Sequence, residues 1–166
     1  MNSTLRNAAV GMAIAALGFS TSASAATATA TAQANILTSL SVTATDALLD
    51  FGTIANSGVG GNVTVNASTG ARTCTPGLVC TAGAPGVATF HVAGESGLPV
   101  AISFTNQTIQ LQSGANVLPL TLASQYSTLV LGPTGNDFNV GGTLTLATNQ
   151  AAGVYSGQLE VVVVYN

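Results

Sequence analysis

The sequence predicts an all-β fold, an antiparallel β-sandwich. Apolar and polar residues alternate through about nine short segments, the period of a half-buried strand. Turn-forming Gly, Pro, Asn and Asp separate those segments at short intervals. After the first 25 residues no stretch sustains the 3.6-residue apolar repeat of a packed helix.

The chain opens as an export leader. Arg6 supplies a positive start, Ala8 to Phe19 an apolar core, and Ala23-Ser24-Ala25 a small-x-small cleavage site. That core is too short to span a bilayer comfortably, so a signal peptide over 1–25 is expected rather than an uncleaved anchor. No other run is long enough for a membrane helix.

Residues 26–35 read ATATATAQAN. Ala28, Ala30, Ala32, Ala34 and Ile36 share one side, with Thr, Gln and Asn opposite. Threonine favours strands, but alanine buries little surface. The stretch is either a flexible linker or a strand that pairs with something already built, and Ile36 would be its largest plug. It forms an extension over 26–36, followed by one domain over 37–166.

Leu40 and Val42 begin the first strand of that domain. Leu48 to Ile54 is a short apolar segment ended by Asn56 to Gly61. Val63 and Val65 alternate with Thr64 and Asn66. Residues 67–86 read as a turn-rich loop. Ala88, Phe90 and Val92 form one strand face, and Val100, Ile102 and Phe104 the next. Ile109 and Leu111 follow, then Val117, Leu120 and Leu122. Phe138, Val140, Leu144 and Leu146 share a face in which Gly141-Gly142 predicts a bulge or a close contact. Asn149 to Gly153 turns the chain into its last segment.

That segment, GVYSGQLEVVVVYN over 153–166, holds the clearest strand. Leu159, Val161, Val163 and Tyr165 form a wholly apolar face, and Val162 and Val164 make the other face half apolar. Such a strand unpaired is an aggregation hazard. It is expected either in mid-sheet, paired on both edges by earlier strands, or covered by another chain.

Charged residues make up 4% of the chain, against about 25% in ordinary domains. Beyond the leader, Arg72 is the sole cation against five carboxylates. Nucleic acid is excluded as a partner, because phosphate binding needs clustered Lys and Arg. Weak charge also means weak self-repulsion, which suits a self-packing polymer. Cys74 and Cys80 read as a disulfide in an exported chain. Free thiols are an alternative, and a metal site would need two further ligands although His91 is the only histidine.

No catalytic or cofactor constellation is found. His91 sits between Phe90 and Val92, and no G-x-S-x-G elbow accompanies it. Asp46 and Asp50 have turn or cap positions. Gly58-Val59-Gly60-Gly61 lacks the lysine of a phosphate loop. Asn136, Asp137 and Asn139 hold a single carboxylate, too little for a calcium loop. The sequons at Asn62, Asn66 and Asn106 match a pattern that Ser/Thr-rich chains produce by chance.

Bacterial chaperone–usher fimbrial subunits end in an alternating strand with a glycine fourteenth from the C-terminus and a penultimate aromatic. Gly153 and Tyr165 hold those positions here. The runs LDFGTI (49–54), GNVTV (61–65), FNVGGTLTL (138–146) and GVYSG (153–157) resemble the bacterial family known as domain of unknown function 4402. They are also similar to Mat/Ecp-type and other archaic fimbrillins. The likeness covers about 40–166. It implies an immunoglobulin-like sandwich with one strand missing, completed by a donor strand. Ala28, Ala30, Ala32, Ala34 and Ile36 would face the donor groove of a neighbouring, identical or related, pilin subunit. Gly153, Leu159, Val161, Val163 and Tyr165 would form the strand that a periplasmic chaperone recognises before an outer-membrane usher exports the subunit to the cell surface. The expected function is therefore a structural pilus subunit supporting adhesion or biofilm formation, not an enzyme, with no cofactor. The alternative is a secreted monomeric sandwich with a binding or adhesive role.

Overall fold

The computed structural model of the chain describes residues 26–55, 57–81 and 83–166. The leader expected over 1–25 lies outside the described residues. The chain divides into two units, one ending at Asn35 and one running from Ile36 to Asn166. Among the described residues the regular elements are all strands, and no helix is long and apolar enough to cross a membrane.

Twelve strands follow in order: β1 (Ser41–Asp46), β2 (Ile54–Ala55), β3 (Gly61–Val65), β4 (Arg72–Cys74), β5 (Val79–Cys80) and β6 (Ala88–Ala93). Then come β7 (Pro99–Phe104), β8 (Thr108–Ser113), β9 (Asn116–Ser124), β10 (Thr128–Val130), β11 (Asn136–Leu146) and β12 (Val161–Tyr165). One sheet has seven strands, ordered β1-β6-β11-β3-β4, with β9 joined to β11 and β8 joined to β9. The second sheet is β10-β7-β12, and β2-β5 makes a small ribbon. Every strand pairing is antiparallel, so the predicted all-β antiparallel sandwich is the fold observed.

β11 is the spine of the larger sheet. It pairs with β6 along Asn136–Val140 and with β3 along Gly142–Leu146, while β9 runs beside Val140–Leu144. The pairing passes Gly141-Gly142 without a register break, so these glycines mark a close contact and not a bulge. A Cβ on Gly141 would strike the Val65 carbonyl, and one on Gly142 would lie 2.7 Å from the Thr121 carbonyl. Three strands converge there more closely than side chains permit. The pairing of β1 with β6 does shift, between Ala44 and Asp46.

Alternation then sorts side chains by face. Phe138, Val140, Val63, Val65, Leu122 and Val100 are fully buried between the sheets. Each such side chain contributes about 1.5–3 kcal/mol by leaving water. The opposite face of the larger sheet shows how the protein manages a surface almost without charge. Thr73, Thr64, Thr143, Thr121 and Thr108 stand in one row across β4, β3, β11, β9 and β8. Hydroxyls pair across it, Thr64 with Thr143 at 2.8 Å and Thr108 with Thr121 at 3.2 Å. β-branched cross-strand pairs stabilise a sheet while leaving it wettable.

Local chemistry explains several other elements. Ser113 and Asn116 pair across a two-residue turn in which Gly114 has φ 60°, as a tight hairpin with glycine at its first position requires. Pro119 lies opposite Gln110 in the part of β9 that pairs with β8 but has no β11 pairing, so its missing N–H need not interrupt a second ladder. The structure corrects two expectations. The turn-rich stretch 67–86 contains β4 and β5, and the apolar segment 48–54 yields only the first residue of β2 and an Asp50–Gly86 bridge. Leu48 is 63% exposed, so apolar composition alone did not carry this segment into a sheet.

Candidate functional site

β12 lies at the edge of its sheet, with β7 on one side and, among the described residues, no strand on the other. This excludes the mid-sheet position. β7 has β10 along its other side, so the three-strand sheet stops at β12. The register fixes which backbone groups face outward. The Glu160 carbonyl accepts from Thr105 and the Asn166 amide donates to Pro99, so even-numbered residues turn towards β7. Antiparallel backbone groups alternate sides, so those of Val161, Val163 and Tyr165 face the open edge. Their side chains are half-buried against the core, as the alternation predicted, while Val162 and Val164 are exposed, Val164 by 50%.

The strand is shorter than the sequence suggested. Gly153 and Leu159 precede it. Ser156 instead bridges Gln112 of β8, and a Cβ on Gly153 would strike the Ser113 hydroxyl. Gly153 thus lies next to Ser113 of the larger sheet, ahead of the edge strand. Leu159 is half-buried and packs against the core just before β12 begins.

Residues 155–159, leading into β12, flank an apolar hollow of about 420 Å³. It is lined also by Ala44 in β1 and by Ala47 to Leu49, just past the end of that strand. Phe51, Phe90, Leu111 and Leu120 contribute to the same lining. Phe90 stacks on buried Phe138, their ring centres 5.7 Å apart, yet is itself only half-buried. A second hollow of about 430 Å³, lined by Asn106, Ile109, Gln158, Leu159 and Glu160, shares Ile109, Gln158 and Leu159 with it. Of the side chains that line the first hollow, Leu48 is exposed and Phe90 half-buried, while Phe51, Leu111 and Leu120 are buried at its floor.

At the far end of β12 the Tyr165 hydroxyl donates to the Thr38 carbonyl at 2.7 Å and accepts from the Glu95 amide at 2.6 Å. The Glu95 carboxylate in turn accepts from the Thr38 hydroxyl at 2.7 Å and the Thr38 amide at 3.3 Å. Those bonds, the hydroxyl's first, hold Glu95 below the usual carboxylate range. Sequence reading missed Thr38 and Glu95, because 57 residues separate them and only the fold brings them together.

Before β1 no regular structure forms from Ala26 to Leu40. Ala28, Ala30, Ala32 and Ala34 are exposed, and Ile36 is 91% exposed. The alternating pattern is thus not expressed as a strand within one chain. Alanine offers too little buried surface to offset the ordering of its backbone.

The other candidate residues have structural partners. Cys74 and Cys80 form a disulfide. Arg72 donates to the Phe51 carbonyl at 2.7 Å and the Thr81 carbonyl at 2.8 Å, tying the disulfide-bearing stretch to the turn around Gly52. Asp46 and Asp50 cap turns, accepting from the amides of Leu48 and Gly52. Asn66 does the same for Ser68 and Thr69. His91 meets Asp137 at 2.6 Å across β6 and β11, a pair that becomes visible only once the register is known. Asn136 and Asn139 are engaged elsewhere, by the Gly132 amide and the Thr89 hydroxyl.

A comparison with curated proteins finds no match. The family model described as a domain of unknown function, DUF4402, matches residues 40–165, from the residue before β1 to the last residue of β12. The chain belongs to that family.

Proposed function

We propose that this chain is a structural subunit of a bacterial surface fimbria that polymerises by strand addition, in support of adhesion or biofilm formation. The observation that carries this reading is the edge position of β12, whose Val161, Val163 and Tyr165 backbone groups face outward, while the residues that lead into it, 155–159, border an apolar hollow. A strand laid along that edge gains main-chain hydrogen bonds, and where it continues past the stretch 155–159 its alternate side chains would meet the hollow. The segment with the matching period is the chain's own 26–36, with Ala28, Ala30, Ala32, Ala34 and Ile36 on one side. In an assembly each subunit would offer that segment to its neighbour. A periplasmic chaperone would cover the edge first, and an outer-membrane usher would receive the subunit on the way to the surface. The protein would then have no catalytic role and need no cofactor.

Deleting 26–36 tests it. The truncated subunit is expected to fold, with its disulfide formed, and to build no fibre. Surface-sheared wild-type material is expected to run as a ladder on an unheated SDS gel and to collapse to one band on boiling. Fibres built by the truncated protein would sink the proposal.

A second reading, a secreted monomeric binding sandwich, is favoured by one observation: β12 already pairs with β7 along its whole length. It expects a single monomer band in both lanes and reversible unfolding of isolated monomer without a chaperone.

A further inference from the structure

We propose that Tyr165 couples the filling of the β12 edge to the root of the N-terminal segment, so that a subunit holds the root of its own extension in place once its edge is occupied. This rests on the strand-addition reading and concerns how one addition prepares the next.

Tyr165 belongs to both ends of that process. Its backbone N–H and C=O face the open edge, by the same alternation that places Val161 and Val163 there. Its hydroxyl bonds the Thr38 carbonyl, shortly before β1 begins at Ser41, and the Glu95 amide, shortly after β6 ends at Ala93. Glu95 closes the triangle through its carboxylate, bonded to the Thr38 hydroxyl and amide. Gly94 leaves the space the hydroxyl needs. A Cβ there would lie 2.5 Å from the Tyr165 Oη and 2.8 Å from Leu40 Cδ2.

An edge strand with one neighbour opens more readily than a strand with two. When β12 opens at Tyr165, the hydroxyl leaves and the Thr38 carbonyl loses its partner. A strand added along Val161, Val163 and Tyr165 suppresses that opening and so prolongs the bonds to Thr38 and Glu95. The coupling is reciprocal: a root held at Thr38 also holds Tyr165 in place for strand addition.

Amide hydrogen exchange on the full chain in its monomeric form tests this, with and without an excess of a synthetic peptide of residues 26–37. In the wild type the peptide is expected to slow exchange at Val161, Val163 and Tyr165. It is also expected to slow exchange at Thr38 and Glu95, about fivefold or more. Tyr165→Phe keeps the ring and the strand but removes the hydroxyl. It should keep the gain on β12 and lose the gain at Thr38 and Glu95. Glu95→Ala, a change away from the core, should keep the gain on β12 and reduce the gain at Thr38. Wild-type gains at Thr38 in both variants would overturn the coupling while leaving strand addition intact. No gain on β12 in the wild type would overturn strand addition itself, and the coupling with it.

Discussion

β11 and β12 are built from similar residues and meet opposite fates. FNVGGTLTL and VVVVY both have the β-branched and aromatic content of a strong strand. β11 has neighbours on both sides, and Phe138 and Val140 are fully buried. Among the described residues β12 has β7 alone, and its best-placed side chains are only half-buried. The difference lies in the number of neighbours rather than in propensity. A strand with two neighbours uses all its backbone groups in the sheet, whereas one with a single neighbour leaves half of them without a strand partner.

Substitutions should divide along that line. Phe138→Ala empties a fully buried site and should cost about 3–5 kcal/mol in denaturant unfolding. Val164→Thr on the exposed face of β12 should stay within about 0.5 kcal/mol. Equal costs at the two positions would erase the contrast.

Gly141→Ala should cost about 1–3 kcal/mol, because the new methyl meets the Val65 carbonyl where β11 and β3 converge. A neutral result would mean that the contact can relax and is no requirement of the spine. Replacing Cys74 and Cys80 together by serine should cost about 2 kcal/mol through the freed loop. It should leave the β12 edge unchanged, as exchange at Val161 and Val163 would report.

The smallest expected effect is that of pH on the Tyr165 cluster. Glu95 has its pKa lowered in the folded chain by the Thr38 hydroxyl and amide. Its contribution is therefore present above the ordinary carboxylate range and is lost as pH falls through the lowered folded value. Opening at the Thr38 amide, corrected for the intrinsic pH dependence of exchange, should become more frequent over that acid window in the wild type. Glu95→Gln should flatten the dependence, and an unchanged profile in that variant would remove Glu95 as its source.

Much of this architecture was legible in the chain. The period-two pattern identified Val63 with Val65, Val100 with Ile102 and Phe138 with Val140 as core pairs, because alternation fixes which side chains share a face. The close spacing of Cys74 and Cys80 pointed to their disulfide, and the paired glycines at 141 and 142 to a bulge or a close contact, of which the register leaves the contact. Gly153 precedes β12 instead of lying within it, because a strand pattern shows where apolar residues alternate, not where pairing starts. Its packing against Ser113 depends on a distant segment.

By itself, then, the sequence determined the class of fold, the apolar faces and the scarcity of charge, all of which follow from local period and composition. Only the tertiary structure decided that β12 lies at an edge, that Arg72 serves two backbone carbonyls, and that Tyr165, Glu95 and Thr38 meet. Those features depend on pairings between residues far apart in the chain, and strand order and register arise only when the sheets close on a common core.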